Sequence, residues 1–226
     1  MIDLNSLTLY KNKISSYVEQ NALDISTTSN ILGMFKIKNY TGNGITKHGN
    51  VKIDEKGIAT TFTNRTDYVV TNINVKDLKL PFEFQVKFKV SDKAAFNRLY
   101  LISNKTYIWP YFELLILNSK IMCNSYTQQY NGNTLFYDSF DFNADRWYII
   151  NLKHEQKGIY ECSVYDEKYN ELYNKTQNSS HEVTNQSDTL ILGNDIDLDS
   201  GGATLKFDLS ETYFKNGDTI ISEWNL

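Results

Sequence analysis

Residues 78–90 read LKLPFEFQVKFKV, and every second position of this stretch carries an apolar side chain. The apolar positions are Leu78, Leu80, Phe82, Phe84, Val86, Phe88 and Val90. The positions between them include Glu83, Gln85, Lys87 and Lys89. A period of two places successive side chains on opposite faces of a β-strand. The stretch therefore predicts a long strand with one buried face and one solvent-facing face, which antiparallel sheets tolerate.

The same period recurs on both sides of this stretch, separated by Asn-, Gly- and Ser-containing turn signals. A turn over residues 54–57 joins two short strands near Val51–Ile53 and Ile58–Phe62. Further strands are predicted near Arg98–Ile102, Tyr111–Leu117, Lys120–Tyr126, Thr134–Phe140, Arg146–Lys153, Ile159–Tyr165, Glu171–Lys175, Thr189–Leu192 and Thr204–Phe214. Many strands and only two prolines predict an all-β fold, a two-sheet antiparallel sandwich or jelly roll.

The chain of 226 residues is within the size range of one β-sandwich domain. Residues 1–44 differ from the rest and are predicted to be an N-terminal arm and connector, with the sandwich over residues 45–226. A three-four spacing runs through Leu4, Leu7, Lys11, Ile14, Val18 and Asn21. It fits either a short helix or extended arm on its own domain, or a weak coiled coil that assembles a homotrimer.

Composition and charge exclude several functional classes. The net charge of −4, without a basic stripe, argues against a nucleic-acid partner. The N-terminus has no signal-peptide pattern, and no apolar run approaches the roughly 20 residues of a membrane span. Cys123 and Cys162 lack the spacing of a zinc site and are interpreted as buried thiols, with a disulfide as the alternative.

Catalytic motifs are also missing. No Glu is followed by an Asp two residues later, as the paired acids of sandwich glucanases require, and no nucleophile motif occurs. The three histidines, His48, His154 and His181, are isolated in the sequence and are interpreted as surface residues. We therefore predict that the chain is not an enzyme, with a glycoside hydrolase as a distant alternative.

One segment has a spacing that suits calcium. Asp195, Asp197 and Asp199 alternate before Ser200 and Gly201, and carboxylate oxygens at such spacing are ligands that calcium prefers. The segment is not an EF-hand loop, so a polar loop or an exposed strand face without metal is the favoured interpretation, and calcium is the alternative. Calcium is the only cofactor that the sequence suggests.

Two segments combine aromatic rings with amides, the side chains that stack on sugar rings and bond to their hydroxyls. The first supplies Tyr107, Trp109 and Tyr111, with Trp109 ahead of a proline and therefore in extended backbone. The second supplies Tyr126, Gln128, Gln129 and Tyr130 between two predicted strands. These seven residues are the predicted ligand-binding set, with a core position as the equal alternative for Trp109. Trp147, within a continuous apolar run, is interpreted as a core residue.

Three stretches resemble a known family. Residues 49–59 (GNVKIDEKGIA), residues 145–152 (DRWYIINL) with the hairpin of residues 164–172, and residues 207–218 (FDLSETYFKNGD) resemble the laminin-G-like, concanavalin A-like jelly-roll domains of phage tail proteins. The resemblance covers roughly residues 45–226. It implies a virion protein of a phage tail or baseplate, made in the bacterial cytoplasm, that attaches to host surface or cell-wall glycan.

Two functional hypotheses remain. The first is a non-enzymatic, lectin-like carbohydrate- or receptor-binding module of a phage tail. The second is a structural tail or baseplate protein that contacts other subunits without binding sugar. An exposed stacking aromatic favours the first, and a large apolar surface patch favours the second.

Overall fold

The computed structural model describes residues 46–104, 112–126, 132–183, 187–193, 204–217 and 219–220. Within these ranges the chain forms sixteen β-strands and three short 3₁₀ helices, Val75–Asp77, Lys93–Asn97 and Leu209–Glu211. The strands are β1 (Thr46–His48), β2 (Lys52–Ile53), β3 (Ile58–Phe62), β4 (Tyr68–Asn74), β5 (Phe82–Val90), β6 (Arg98–Asn104), β7 (Phe112–Leu117), β8 (Lys120–Tyr126), β9 (Gly132–Ser139), β10 (Trp147–Gln156), β11 (Ile159–Asp166), β12 (Glu171–Asn178), β13 (Thr189–Gly193), β14 (Leu205–Asp208), β15 (Tyr213–Asn216) and β16 (Thr219–Ile220).

The described strands form two antiparallel sheets. Sheet A has the order β1-β4-β13-β6-β7-β8-β9, and sheet B has the order β12-β11-β10-β5-β14-β3-β2. Strand β15 also pairs with β5, and β16 pairs with β15. The prediction of an all-β antiparallel sandwich is confirmed. The N-terminal arm predicted over residues 1–44 lies outside the described residues. No helix in the described ranges is long and apolar enough to span a membrane.

The core lies between the sheets and is rich in phenylalanine. Phe84 of β5 contacts Phe112 of β7 and Phe214 of β15, with ring centroids 5.1 and 4.8 Å apart. A second aromatic group surrounds Phe142, which contacts Phe96 and Tyr148 among others. These rings link the two sheets, and the large apolar area that they remove from water stabilises the sandwich.

Strand β5 begins at Phe82, so the prediction that the strand starts at Leu78 is wrong, although Leu78 still packs in part against the core. The chain turns in the 3₁₀ helix Val75–Asp77, and Pro81 then lacks the N–H that a ladder hydrogen bond needs. Leu80 is 46% exposed. The segment is instead tied to β15 by the Asn216 side chain, whose Oδ1 accepts a hydrogen bond from the Lys79 amide at 3.1 Å.

The second face of β5 was predicted to face solvent, but its central residues are buried in the structure. Gln85 and Lys87 are only 6% and 8% exposed. The predicted strand Thr204–Phe214 is in fact two strands, β14 and β15, which both pair with β5 and are separated by the 3₁₀ helix Leu209–Glu211. That helix brings Glu211 to Lys87, whose Nζ donates to Glu211 Oε1 at 2.9 Å.

The interpretation of Trp147 as a core residue is also wrong. Its neighbour Tyr148 points into the core, so the alternation along β10 places Trp147 on the outer face of sheet B, where it is half-buried. The Lys87 ammonium lies 5.7 Å from the centroid of its ring. In a run of adjacent apolar residues, the sequence alone does not show whether the even-numbered or the odd-numbered positions face the core.

Both cysteines are buried free thiols, as interpreted from the sequence. Cys123 lies on β8 in sheet A and Cys162 on β11 in sheet B, and both belong to the core. Burial raises the pKa of both thiols. Nearby carboxylates act in the same direction, Glu113 on Cys123 and Asp138 and Glu161 on Cys162. Thiols held in their neutral form are poor nucleophiles and poor metal ligands.

His154 is 1% exposed, so its interpretation as a surface residue is wrong. Its ring stacks on Tyr160 at 4.0 Å and meets Phe82 edge to face at 5.0 Å. Nε2 lies 3.1 Å from Glu182 Oε2, but out of hydrogen-bond alignment. Burial lowers the pKa of His154, and the nearby Glu182 charge offsets this only in part.

The lowered pKa of His154 predicts acid sensitivity. The unfolded chain takes up a proton near its ordinary pKa of 6.5, whereas the folded chain resists it. The free energy of unfolding should therefore fall as the pH drops below about 6.5, until the folded-state pKa is passed. Urea unfolding at several pH values between roughly 8 and 5, the range in which histidine titrates, measures this change in the free energy of unfolding. His154→Gln should flatten the profile, and an unchanged slope in that variant would contradict the assignment.

Candidate functional site

Of the seven predicted ligand-binding residues, Tyr126 is the one that the structure describes. Tyr107, Trp109 and Tyr111 lie outside the described residues, as do Gln128, Gln129 and Tyr130. The calcium candidates Asp195, Asp197 and Asp199 lie outside them as well. In the ranges that are described, no group of three or more His, Cys, Asp or Glu side chains could hold a metal ion.

The strands that flank the two predicted binding segments end together at one end of sheet A. Strand β6 ends at Asn104 and β7 begins at Phe112, and the Phe112 amide donates to Asn104 Oδ1 at 2.7 Å. Phe112 is the register partner of Ser125 on β8, and Tyr126 is the partner of Gly132 on β9. Residues 105–111 and 127–131 therefore both connect strands at this end of the sheet.

A buried hydrogen-bond network lies at these strand ends. Glu113 of β7 and Asn124 of β8 are register partners and are 3% and 6% exposed. Glu113 Oε1 accepts hydrogen bonds from Asn124 Nδ2 and from the Tyr126 hydroxyl, both at 2.7 Å. Asn104, Glu113, Asn124 and Tyr126 are called the strand-end cluster below. Because the carboxylate holds its hydroxyl, the half-buried ring of Tyr126 is fixed in place.

The electrostatics of the strand-end cluster keep Tyr126 protonated. Burial raises the pKa of the Tyr126 hydroxyl, and the Glu113 carboxylate raises it further through its charge and its hydrogen bond. A neutral hydroxyl can then act as the donor that the carboxylate requires. The cluster also contains an unpaired donor, because Asn104 Nδ2 is buried and forms no hydrogen bond in the described part of the chain.

A second polar group, on the outer face of sheet B, was missed by the sequence analysis. We call it the outer-face cluster, and its members are Glu83, Gln85, Lys87, Asn151, Tyr169, Glu211 and Tyr213. The polar positions of β5 were visible as an alternation, but they were interpreted as solvated. Their partners come from β10, from the turn between β11 and β12, and from the segment that follows β14. Nothing local in the sequence of those segments indicates that they meet at β5.

Neither the protein-family models nor the curated proteins contain a match to this chain. The laminin-G assignment therefore continues to rest on the sequence resemblance. Comparison with solved structures does find similar folds, all at low sequence identity.

The receptor-binding domain of botulinum neurotoxin C/D mosaic serotype is 11% identical, with a TM-score of 0.55 over 79% of this chain and 43% of that one. A botulinum neurotoxin type C structure, from a toxin that depends on interaction with two ganglioside molecules to enter cells, is 8% identical, with a TM-score of 0.54 over 72% and 40% of the two chains. The chain thus spans less than half the length of these toxin domains. At these identities the likeness establishes a shared β-sandwich fold.

The CBM2 module of the evolved Dit protein of Lactobacillus casei BL23 phage J-1 is similar in size to this chain. It is 14% identical, with a TM-score of 0.49 over 78% of this chain and 91% of that one. A TM-score of this size does not establish a common fold, and no inference is based on it.

Proposed function

We propose that this chain is a non-enzymatic, lectin-like module of a phage tail or baseplate that binds a host surface or cell-wall glycan. The observation that carries the proposal is the convergence of β6, β7, β8 and β9 at one end of sheet A. The two segments richest in rings and amides, residues 105–111 and 127–131, connect these same strands. The phage assignment rests on the sequence resemblance alone.

Each side-chain type in the proposed site has a role in sugar recognition. The rings of Tyr107, Trp109, Tyr111, Tyr126 and Tyr130 offer flat faces on which a sugar ring can stack. The amides of Gln128 and Gln129 can both donate to and accept from hydroxyl groups. Glu113 contributes indirectly, because its carboxylate accepts the hydrogen bond of the Tyr126 hydroxyl and so orients the ring.

The structural neighbours lend support of a general kind. One of them is a receptor-binding domain, and for the other a dependence of cell entry on interaction with two ganglioside molecules is stated. One fold hosts many unrelated functions, so this likeness is compatible with a binding role and does not specify the ligand.

The chemistry of the strand-end cluster also favours binding over hydrolysis. Glycoside hydrolases place two carboxyl groups roughly 5–9 Å apart across the scissile bond. In the described part of the strand-end cluster, Glu113 is the single carboxylate, and it is occupied by Asn124 and Tyr126. A large exposed apolar patch would favour the alternative of a purely structural virion protein. In the described ranges the exposed large apolar residues are Leu80, Tyr137, Tyr169 and Leu172.

Two further parts of the proposal are predictions of the sequence alone. The N-terminal arm is proposed to assemble the chain as a homotrimer in contact with other tail subunits. Asp195, Asp197 and Asp199 are proposed as the residues through which any effect of calcium would act.

Substitution of Trp109 tests the proposed site. Trp109→Ala should weaken binding to glycan by about tenfold or more, because the loss of one stacking contact corresponds to about 1–2 kcal/mol. The melting temperature should stay nearly unchanged. Tyr137→Ala is a matched control, since Tyr137 is 40% exposed on β9 and lies toward the opposite end of that strand. Binding is measured on a glycan array and by isothermal titration.

Two results would contradict this assignment. One is unchanged glycan binding by Trp109→Ala. The other is a loss of about 3 kcal/mol in the free energy of unfolding, which is typical of truncating a core tryptophan.

A further inference from the structure

A row of polar side chains crosses the outer face of sheet B in register. Ser163 of β11 pairs with Asn151 of β10, Asn151 pairs with Gln85 of β5, and Gln85 pairs with Tyr213 of β15. These residues lie on the face opposite the core. Gln85 and Asn151 are nevertheless each only 6% exposed. Buried amides need hydrogen-bond partners, so the atoms that each amide uses are informative.

The NH₂ groups of both amides donate hydrogen bonds to other groups of the protein. Asn151 Nδ2 donates to Glu83 Oε1 at 2.7 Å, and Gln85 Nε2 donates to the backbone carbonyl of Glu211 at 2.7 Å. Carboxylate and carbonyl oxygens only accept hydrogen bonds, so the nitrogen atom of each amide must face its partner. The amide oxygens of Asn151 and Gln85 accept no hydrogen bond from any described residue. Two unused acceptors therefore lie side by side on neighbouring strands.

Two tyrosine rings flank these acceptors and are held by their hydroxyl groups. The Tyr169 hydroxyl donates to Glu211 Oε2 at 2.9 Å, and the Tyr213 hydroxyl donates to Glu83 Oε1 at 2.5 Å. Gln85 Nε2 also reaches the Tyr169 hydroxyl at 3.4 Å. Tyr169 is still 47% exposed, so its ring is fixed at one end and remains in water. A ring fixed before binding loses little conformational entropy when a ligand stacks on it.

The unused hydrogen-bonding atoms indicate the class of ligand. The Lys87 ammonium is already paired within the protein, because its Nζ lies 2.9 Å from Glu211 Oε1 and 3.6 Å from Asp208 Oδ2. An anionic group would meet the two unused amide oxygens, which cannot donate a hydrogen bond to it. Hydroxyl groups are suitable donors, and the apolar face of a sugar ring suits the exposed tyrosine.

We propose that the outer-face cluster is a second ligand site, which binds a neutral oligosaccharide. The amide oxygens of Gln85 and Asn151 accept hydrogen bonds from neighbouring sugar hydroxyls, and the sugar ring stacks on Tyr169. This site shares its class of ligand with the proposed function but none of its residues. A tail module with both sites holds a polysaccharide at two points, which increases its avidity without any further contact.

The test is an NMR titration of the full chain that follows the side-chain NH₂ signals of Asn151 and Gln85. These signals are assigned from Asn151→Ala and Gln85→Ala. The probes are maltohexaose, cellohexaose and laminarihexaose as neutral sugars, sialyllactose as an anionic sugar and tetralysine as a cationic peptide. We expect at least one neutral sugar to shift both signals. Tyr169→Ala should weaken that binding by about tenfold or more, whereas Tyr137→Ala should leave it nearly unchanged.

The proposal is overturned if no neutral sugar shifts the two signals, or if sialyllactose or tetralysine shifts them instead. It is also overturned if Tyr169→Ala binds as tightly as the unsubstituted chain. Trp109→Ala separates the two sites. Loss of binding in Tyr169→Ala with full binding in Trp109→Ala would support this inference while contradicting the site at the end of sheet A.

Discussion

Asp67→Ala should lower the free energy of unfolding by about 3 kcal/mol or more, because several part-buried hydrogen-bond donors lose their shared acceptor at once. Asp67 is fully buried between β3 and β4. Its Oδ1 accepts from the Asn50 amide at 2.8 Å, and its Oδ2 accepts from the Thr63 and Asn64 amides, each at 2.9 Å. The Thr63 hydroxyl and the Asn64 side chain add two further donors.

The pKa of Asp67 supports this interpretation. Burial alone would raise it, but the hydrogen bonds from Asn50, Thr63 and Asn64 together outweigh burial and lower it. Space around the carboxylate is limited as well, since a Cβ atom built on Gly49 would lie 2.1 Å from Asp67 Oδ1. The carboxylate thus occupies a site shaped by the backbone around it.

Urea unfolding at neutral pH measures the effect of Asp67→Ala. Asp166→Ala is the control, because Asp166 also accepts two backbone hydrogen bonds, from Lys168 and Asn170, but in a turn at the surface. Water can replace that carboxylate, so the control should lose much less stability than Asp67→Ala. Equal losses in the two variants would show that burial of Asp67 has no special role.

Lys87→Ala should lower the free energy of unfolding by a comparable amount, about 3 kcal/mol. Its ammonium is paired with Glu211 and with Asp208, and the side chains of Lys87 and Asp208 are only 10% and 11% exposed. Removal of one partner from a buried ion pair leaves an uncompensated charge, which costs more than the pair contributes when intact. Here the cost is raised because the substitution leaves two carboxylates facing each other.

Lys89→Ala is the matched control for Lys87→Ala. Lys89 is on the same face of β5, but its Nζ is 4.0 Å from Asp145, whose side chain is 72% exposed. Such a solvent-screened pair should contribute no more than about 0.5 kcal/mol. A loss below about 1 kcal/mol in Lys87→Ala would mean that the outer-face cluster is solvated and not held together as described.

The strands with strict alternation could be predicted from the sequence. Strand β8 has the predicted bounds, Lys120–Tyr126, and the apolar positions of β5 from Phe82 to Val90 are all buried. In β5 the local pattern suffices because one face contains only apolar side chains. The local pattern failed at Trp147, because in a run of consecutive apolar residues either set of alternate positions could face the core.

The outer-face cluster could not be predicted, because its contacts are distant along the chain. Gln85 bonds to the carbonyl of Glu211, 126 residues away, and Tyr169 reaches Glu211 from a turn between two other strands. The 3₁₀ helix that brings Glu211 to β5 interrupts what looks like one continuous strand in the sequence. The strand-end cluster was found in part, through Tyr126, but its buried acceptor Glu113 has no distinguishing local pattern.

The central claim is that this chain binds glycan without hydrolysing it. The most direct test applies the purified full chain to an array of neutral and acidic oligosaccharides together with cell-wall polysaccharides from a panel of low-GC bacteria. The account predicts saturable binding to at least one of them, with no release of reducing ends from the bound glycan. Absence of binding to every glycan and wall polymer, or reproducible release of reducing ends, would contradict it.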